Sequence, residues 1–239
     1  MRFVSLAQRD TRLTEIMDDP SCDADRLRRT FQGFDAMNRA VAAWGRVYRT
    51  RLRPVLAAAA AMHTGPARLL DVGCGGGDVL RRIARLAARD GFAVTGVGID
   101  PDPRAIAVAT AAARIPGITY RQCFSSELVS EGERFDIVLS NHLLHHLSES
   151  EFDVLIADSE ALTSRVAVHS DIARGRLAYG AFAVGAVPVS PGTLLRVDGL
   201  RSIRRSYTPS ELAERLPAAW NAESVNPFRL LAVHTAGAA

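Results

Sequence analysis

The stretch Leu70-Asp71-Val72-Gly73-Cys74-Gly75-Gly76-Gly77-Asp78 decides the fold of this 239-residue chain. Residues 67–72 have the pattern of a short buried strand, and residues 78–90 that of an amphipathic helix ended by Gly91. The glycines therefore form a loop between a strand and a helix. In an open parallel sheet such loops bind ligands, because glycine lets the backbone turn sharply and lets a ligand come close.

The spacing of these glycines argues against a nicotinamide site. In a G-x-G-x-x-G fingerprint that begins at Gly73 or Gly75, the third glycine would fall on Asp78 or Leu80. A carboxylate at position 78 would also repel a pyrophosphate at the start of the helix. The pattern that fits is acidic-x-Gly-x-Gly-x-Gly, which begins at Asp71.

A second acidic residue follows the next predicted strand, in Val97-Gly98-Ile99-Asp100. A carboxylate at a strand tip can accept two hydrogen bonds from the diol of a ribose. Nicotinamide proteins also place an acid there, so Asp100 alone is weak evidence. Together with Asp71 it favours a cofactor that contains adenosine.

Alternating strands and helices from residue 67 onward predict an α/β fold. We expect a Rossmann-like, mostly parallel seven-stranded sheet with helices on both faces. Capping boxes at Ser148–Glu151 and Thr208–Glu211 mark two of its helices. The link at 226–227 is too short for a crossover, which predicts an antiparallel C-terminal hairpin. The predicted strands are 67–72, 93–99, 118–123, 135–140, 165–170, 223–225 and 229–234.

Residues 1–64 have a helical pattern and predict a cap on the main domain. Apolar residues recur every three or four positions, on one long helix or on a helix pair interrupted at Gly33 and Gly45. This stripe packs against the main domain, covers a ligand site, or does both. It comprises Leu27, Phe31, Phe34, Met37, Val41, Trp44, Tyr48 and Leu52. Residues 65–239 would then form the cofactor-binding domain, with an insert at about 174–207.

The glycine loop and its flanks, LLDVGCGGGDV, resemble motif I of the class I S-adenosylmethionine-dependent methyltransferases. The resemblance implies that Asp71 and the loop backbone around Gly73 hold the methionine end of the cofactor, and that Asp100 holds its ribose. The cofactor-binding set that we predict on this basis is Asp71, Gly73, Cys74, Gly75, Gly77, Asp100, Pro101, Phe124, Ser125 and Asn141.

The adenine contact departs from the pattern of the family. Many members have an acid after the third strand, where this chain has Cys123-Phe124-Ser125-Ser126-Glu127. Phe124 could lie against the adenine ring while Ser125 or a backbone group bonds its edge. Phe124 as an ordinary core residue is an equal alternative.

Three histidines follow the fourth strand in Asn141-His142-Leu143-Leu144-His145-His146. Methyl transfer needs a deprotonated acceptor, and a neutral imidazole is a suitable base for a phenol. The candidates are His145 and His146, then His142. The alternative is that the pair orders the loop or caps the helix at Ser148. No Asp, Glu or Cys lies at useful spacing nearby, so we predict no metal site.

The acceptor would lie beyond the fifth strand. Asp171 and Arg174 follow that strand, and either they bond the acceptor or they pair with each other. The insert adds Tyr179 and many small apolar residues, which line a pocket, serve helix packing or form a homodimer contact. Its arginines 196, 201, 204 and 205 have no interleaved aromatic residues, so we expect a small-molecule acceptor and no nucleic acid.

The whole chain is similar to bacterial methyltransferases found with type III polyketide synthases. The shared segments are MDDP, NRA, LLDVGCGGGD, LLHHL, SDIARGRLAY and RRSYTPSEL. The resemblance implies O-methylation of a phenolic hydroxyl on a polyketide or quinol-type metabolite, in secondary metabolism. The alternatives are carbon methylation of a quinone-type ring, methylation of a macromolecule, or a binding domain without catalysis.

The bulk composition agrees with a globular enzyme. The formal charge is +3, and three scattered cysteines suggest neither a disulfide framework nor a metal pair. With no apolar run of signal-peptide or membrane-span length, we expect a cytoplasmic protein.

Overall fold

The computed structural model describes residues 5–41, 43–62, 65–225 and 228–237, without the side chains of residues 34–41. Its centre is one seven-stranded sheet in the order β3-β2-β1-β4-β5-β7-β6. Only β7 runs antiparallel, between β5 and β6, which confirms the Rossmann-like fold and the C-terminal hairpin. The strands are β1 (Ala67–Val72), β2 (Val94–Ile99), β3 (Ile118–Arg121), β4 (Phe135–Asn141), β5 (Thr163–Ile172), β6 (Trp220–Val225) and β7 (Arg229–Thr235).

Helices cover both faces of the sheet, and two more fold from the insert. The capping boxes at Ser148 and Thr208 begin α7 and α10 as predicted. The helices are α1 (Ala24–Val41), α2 (Trp44–Val47), α3 (Arg53–Ala61), α4 (Asp78–Arg89), α5 (Pro103–Ala111), α6 (Ser125–Ser130), α7 (Glu149–Leu162), α8 (Arg176–Gly185), α9 (Leu195–Arg205) and α10 (Pro209–Arg215).

The sheet grows in one direction from β1, through β2 and β3, and in the other direction from β4, through β5. Strands β1 and β4 are parallel and paired along the sheet centre, and their following segments leave toward opposite faces. This arrangement opens a crevice at the carboxyl ends of the two strands, where ligands bind in open α/β sheets. The fold therefore places the glycine loop after β1 beside the histidine loop after β4.

The N-terminal helices break at a different point from the two predicted. Gly33 lies inside α1, where a Cβ atom would stand 2.7 Å from the Leu195 side chain, so close packing rather than a break requires glycine. Gly45 lies inside α2. The break falls at Ala43, which has a left-handed backbone with φ 53°. A π-helical turn at Tyr48–Leu52 then joins α2 to α3.

The predicted apolar stripe divides between two clusters. Leu27 and Phe31 pack with Ala105 near the start of α5. Trp44, Tyr48 and Leu52 join the main core against one face of the sheet. Phe34, Met37 and Val41 belong to the segment whose side chains lie outside the described residues. The residues of one periodic stripe thus pack into two separate clusters, because the chain turns between them.

Element boundaries account for the remaining differences from the sequence-based expectation. Helix α6, which follows β3 directly, has no counterpart in the prediction. Strand β6 begins three residues earlier than expected, at Trp220. The 226–227 link lies outside the described residues. None of the helices in the described part of the chain combines the length and apolarity that a bilayer span requires.

Replacing Trp44 with alanine should destabilise the protein strongly. Its indole is fully buried in the main core, and its Nε1 atom donates a hydrogen bond to Asn141. We expect the free energy of unfolding to fall by about 3–5 kcal/mol in urea titrations followed by circular dichroism. Leu177→Ala, at an exposed position on α8, is the matched control. A loss below ~1 kcal/mol for Trp44→Ala would show that α2 is not anchored through this residue.

Candidate functional site

The glycine loop after β1 forms one wall of the crevice. Gly73 has φ +65°, and a Cβ there would lie 3.1 Å from the Leu143 side chain of the facing loop. Gly77 has φ +73°, but a Cβ there would meet Tyr120 at 2.5 Å. Gly77 does not line the cavity. It serves close packing with β3, which corrects its prediction as a cofactor-binding residue.

Asp71 is a buried carboxylate at the closed end of this wall. Its side chain is 1% exposed, and neither carboxylate oxygen has a hydrogen-bond partner among the described residues. Burial, together with the nearby Asp78 and Asp100 carboxylates, raises the pKa of Asp71 well above its usual range. An unpartnered buried carboxylate is costly, so the arrangement favours a cationic ligand group.

Asp100 lies at the tip of β2 and is held by backbone amides. One carboxylate oxygen accepts from the Gly75 amide at 2.9 Å, and the other accepts from the Asp102 amide at 2.9 Å. Burial raises the pKa of Asp100. Each oxygen keeps a lone pair, so the fixed carboxylate can still accept hydrogen bonds from a ligand that enters the cavity it lines.

Two cavities meet at the glycine loop. The larger, of about 710 Å³, contains Asp71, Gly73, Cys74, Gly75, Asp100, Asn141 and all three loop histidines in its lining. The smaller, of about 260 Å³, is lined by Phe124 and Ser125. Gly73, Pro101 and Leu143 line both cavities, so one extended ligand can occupy the two.

The smaller cavity has mostly apolar walls, and Phe124 is one of them. Its ring is 63% exposed, so it is not a core residue. The Ser125 hydroxyl donates to Asp158 at 2.6 Å, which leaves its oxygen only as an acceptor. The other walls include Val72, Ile99, Cys123, Leu147 and Leu155.

Asn141 and His142 end β4 and are fixed by a buried arginine. The Asn141 side-chain oxygen accepts from Trp44 Nε1 at 3.0 Å and from Arg229 at 2.6 Å. His142 has a left-handed backbone with φ 58°, and its Nε2 lies 2.7 Å from another Arg229 nitrogen. Burial and the Arg229 charge lower the pKa of His142 well below its usual range. Because Nε2 accepts from a guanidinium, the ring has no free basic nitrogen, which contradicts His142 as a base.

His145 is completely buried between two carboxylates. Its Nδ1 lies 2.8 Å from Asp171, and its Nε2 lies 3.2 Å from Glu15. Although burial opposes it, these two carboxylates raise the pKa of His145 to about 9. The ring therefore carries a proton at neutral pH and has no nitrogen free to accept another. This geometry contradicts the prediction of His145 as the base and makes it the anchor of the loop.

His146 is more open than its buried neighbour His145. Its side chain is 25% exposed and lines the larger cavity. Its Nδ1 lies 3.3 Å from Asp18, and its Nε2 lies 3.7 Å from Glu15. From sequence spacing we predicted no acidic residue near the histidines, but the fold brings two carboxylates next to His146. Both carboxylates come from a segment about 130 residues upstream, which sequence spacing alone does not reveal.

Residues 5–19, which we call the N-terminal strap, bring Glu15 and Asp18 to this position. The Asp198 carboxylate of α9 accepts from the amides of Ile16 and Met17 at 2.9 and 3.0 Å. Ser202 of α9 donates to Glu15 at 2.6 Å. These contacts fix the short helical turn that follows Glu15, and with it the carboxylate.

The arginines of the insert also hold the strap. Arg201 donates to the Thr14 carbonyl, Arg204 pairs with Asp10 at 2.6 Å, and Arg205 bonds the carbonyls of Leu13, His145 and His146. Arg196 donates to Ala183 in α8. These four arginines of the insert therefore make intramolecular contacts, and three of them hold the strap against the rest of the site.

The three predicted acceptor-binding residues lie outside the cavity lining. Asp171 is buried against His145 and its own loop, and Arg174 bonds the strap carbonyl of Leu6 and the Glu211 carboxylate. Tyr179 lies beside the lining residue Ala178 without contributing to the wall. Asp171 and Arg174 do not bond each other. The prediction of acceptor contact is thus corrected to a supporting role for both.

Apolar residues, many of them small or aromatic, form the wall of the larger cavity away from the glycine loop. They come from the strap, α1, α8 and the turn that follows it, α9 and the turn before β7. These residues are Met17, Phe31, Ala178, Ala181, Phe182, Gly185, Ala186, Val189, Leu195, Gly199 and Phe228. The cavity thus has a polar end at the sheet and an apolar end under the insert.

Comparison with known proteins agrees with the sequence motif and the crevice. Residues 69–164 match the family described as methyltransferase domain. This segment of the chain is thus similar to a methyltransferase domain. This family uses S-adenosylmethionine, and the domain spans the glycine loop, Asp100 and the histidine loop.

The curated relatives match part of the chain. A ubiquinone biosynthesis O-methyltransferase of Roseobacter denitrificans is 37% identical over 152 residues, which is 62% of this chain and 57% of the relative. One of Rhizobium leguminosarum bv. trifolii is 38% identical over 87 residues, 36% of this chain and 32% of the relative. The chain thus spans between a third and about three fifths of the length of these relatives.

Solved structures share the fold over most of the chain. The plantazolicin methyltransferase BpumL, in complex with a pentazolic desmethyl analogue and S-adenosylhomocysteine, has a TM-score of 0.54 at 16% identity, covering 90% of this chain and 96% of that protein. Magnesium protoporphyrin IX methyltransferase of Synechocystis PCC 6803 with bound S-adenosylhomocysteine has a TM-score of 0.51 at 16% identity, covering 90% and 100%. At these identities the likeness concerns the fold.

Sequence analysis missed the residues that reach the methyltransferase domain from elsewhere in the chain. They are Glu15 and Asp18 of the strap, Trp44 behind Asn141, and Asp198 and Arg229. One signal was present for the strap, because the acidic run Glu15-Ile16-Met17-Asp18-Asp19 precedes α1 and overlaps the MDDP segment. Nothing in the local pattern of Arg229 distinguishes it from an ordinary strand residue.

Two buried histidines should titrate in opposite directions. The Asp171 and Glu15 carboxylates raise the pKa of His145 to about 9, whereas burial alone lowers that of His169 to about 3. Ring nitrogen NMR from pH 5 to 10 should show His145 protonated until about pH 9 and His169 neutral throughout. The raised pKa means that His145 stabilises the fold below its unfolded value of about 6.5 and that this contribution is lost as the pH rises toward 9. Titration of His145 near pH ~6.5 would show that the two carboxylates do not hold it.

Proposed function

We propose that this chain transfers the methyl group of S-adenosylmethionine to a phenolic hydroxyl of a small, hydrophobic molecule. The observation that carries the proposal is the unpartnered carboxylate of Asp71, buried at the polar end of the larger cavity. The names of the matched relatives, which are O-methyltransferases, support an oxygen acceptor.

The residues around the glycine loop fit this cofactor from end to end. Asp71 lacks a counter-charge that an ammonium group would supply. Asp100 stands ready at a strand tip for a ribose diol. The 260 Å³ cavity, with Phe124 on its rim and Ile99 and Leu155 within, has walls suited to a flat adenine ring. The cofactor, when bound, supplies a methyl group on a positively charged sulfur.

The chain's contribution to methyl transfer is alignment and removal of a proton. The carbon–sulfur bond breaks as the bond from carbon to the acceptor oxygen forms, and the sulfur keeps the electron pair. The acceptor must therefore approach from the apolar end of the larger cavity, with its hydroxyl toward the histidine loop. The small side chains of Ala178, Ala181 and Gly185 leave room there for a ring. Holding the two reactants in line is a large part of the rate acceleration.

His146 is the group that we assign to the proton of the acceptor. Its ring lines the cavity, and Asp18 faces Nδ1, which leaves Nε2 as the nitrogen turned toward Glu15 and the acceptor side. His145 has both ring nitrogens engaged, and His142 has Nε2 engaged by Arg229, so these two histidines serve to position the loop. The acceptor proton would pass to His146 directly or through Glu15 as the oxygen attacks.

Replacement of Asp100 tests the cofactor assignment. Asp100→Asn should weaken S-adenosylhomocysteine binding by at least about tenfold in calorimetry, because a charged acceptor of the ribose hydroxyls is lost. Asp71→Asn should weaken it as well, because a neutral amide cannot pair with an ammonium group.

Asp136→Asn is the matched control, since Asp136 lies at the opposite end of β4 and pairs with Arg165. Unchanged affinity in both test variants would remove the assignment of the crevice to this cofactor.

Methyl-label transfer tests the activity itself. The protein is incubated with methyl-labelled cofactor, a host lysate and simple alkylated phenols, and label is counted in organic, RNA and protein fractions. We expect enzyme-dependent label in the organic fraction. His146→Ala should lower that label about 10²- to 10⁴-fold while leaving S-adenosylhomocysteine affinity unchanged, because a proton acceptor contributes to turnover alone.

His234→Ala is the matched histidine control, since His234 of β7 bonds the Ala219 carbonyl just before β6 and lines neither cavity. Label confined to RNA or protein would overturn the small-molecule acceptor. Full turnover in His146→Ala would overturn its role as the proton acceptor.

A further inference from the structure

Three ligand atoms of metal-binding type converge on one point of the larger cavity. They belong to Glu15 of the strap and to the consecutive histidines His145 and His146. All lie within 4.8 Å of one another, and all three residues line the cavity. Two imidazoles and a carboxylate are a frequent protein ligand set for catalytic zinc, which keeps one coordination position open.

The separations are close to what a bound ion requires. The Glu15 carboxylate oxygens lie 3.2 Å from His145 Nε2 and 3.7 Å from His146 Nε2. With metal–ligand bonds of roughly 2.0–2.1 Å, a tetrahedral site has ligand–ligand edges of roughly 3.3 Å. The two distances end on different oxygens of Glu15, and all the ligand atoms lie within 4.8 Å of one another, so the side chains would have to draw together by up to about 1.5 Å to share one ion.

The other ring nitrogen of each histidine already has the partner that metal-binding histidines use. The Asp171 carboxylate accepts a hydrogen bond from His145 Nδ1 at 2.8 Å, and the Asp18 carboxylate accepts one from His146 Nδ1 at 3.3 Å. A carboxylate on the distant nitrogen holds each ring so that Nε2 faces the metal, and at His145 the ion would displace the proton that Nε2 carries in the metal-free protein. The same geometry occurs twice side by side, on two histidines that point at one Glu15 carboxylate.

A second group of possible ligands, His142, His145 and Asp171, is less suited to a cation. His142 Nε2 is occupied by the Arg229 guanidinium at 2.7 Å. That fixed positive charge stands beside the group. The cluster of Glu15, His145 and His146 lies near the Arg205 guanidinium, but the Asp18 and Asp171 carboxylates add two negative charges around it.

We propose that Glu15, His145 and His146 bind a divalent transition-metal ion, for which Zn²⁺ is the best match. Imidazole ligands favour Zn²⁺ over Mg²⁺, which prefers oxygen ligands and retains its waters. The fourth position faces the cavity. There the ion can take the acceptor hydroxyl and lower its pKa, which would make His146 a ligand in place of a base. This last role rests on the proposed methyl transfer, whereas the binding of the ion does not.

Metal binding by the full chain tests the proposal directly. The protein is stripped with a chelator and titrated with ZnCl₂ against a chromophoric competitor, and Co²⁺ is added to a second sample to record its visible spectrum. We expect one Zn²⁺ per chain and a Co²⁺ spectrum of low coordination number. Glu15→Gln and His146→Ala should each weaken Zn²⁺ binding at least about tenfold, and Asp18→Asn about 10- to 100-fold through the ring that it orients.

His234→Gln is the matched control and should keep full affinity. His146→Ala keeps the test decisive if Glu15→Gln does not fold, because the His146 ring is partly exposed and its loss leaves the buried pair of Glu15 and His145 in place. No stoichiometric Zn²⁺ in the wild type, or equal affinity in wild type, Glu15→Gln and His146→Ala, would overturn the proposal.

Asp100→Asn separates this proposal from the proposed function. It should lose S-adenosylhomocysteine and keep Zn²⁺, because Asp100 lies on the cofactor side of the glycine loop. Zinc binding without any methylated product would leave the metal site standing and the activity refuted. If chelator-treated protein formed a methylated product and had no affinity for Zn²⁺, the activity would stand and the metal site would be refuted.

Discussion

The buried imidazole of His145 holds the two halves of the site together. It lies between Asp171 at the end of β5 and Glu15 of the N-terminal strap, so it joins the sheet to a segment 130 positions away in sequence. Charges in a protein interior are tolerated only when they are paired and hydrogen-bonded. Removing any one of the three would leave a buried charge uncompensated. The position of the strap, and with it the shape of the apolar cavity, therefore depends on this carboxylate–imidazole–carboxylate contact together with the strap contacts of α9.

The crevice separates two kinds of environment on either side of β1 and β4. On the β2 side, three carboxylates at positions 71, 78 and 100 create a negative field that suits a cationic ligand. On the β5 side, the Arg229 guanidinium is buried, and burial lowers its pKa to about 10. It fixes Asn141 and His142 at the strand end. The reacting atoms of two ligands would thus meet between these carboxylates on one side and the fixed polar side chains of Asn141 and His142 on the other.

The sequence predicted the part of the site that local patterns specify. Asp71, Asp100 and the glycine loop follow from strand, loop and helix signals within about 30 residues, and the two capping boxes are equally local. The roles of His145, Asp171 and Arg174 could not be predicted in this way, because their partners Glu15 and Leu6 lie more than 100 residues upstream. The break at Ala43 was missed for a related reason. Packing of Trp44 and Leu195, rather than the presence of glycine, decides where the helices bend and where they continue.

The N-terminal strap and the insert lie outside the segment 69–164 that matches the methyltransferase family. Together they supply most of the apolar wall, whereas the family segment supplies the glycine loop and the histidines. On the proposed function, recognition of the methyl acceptor and binding of the cofactor would be encoded in separate stretches of the sequence. Exchange of the strap and insert between related proteins could give new acceptor preferences on an unaltered catalytic frame, provided that the exchanged strap retains a carboxylate at the position of Glu15.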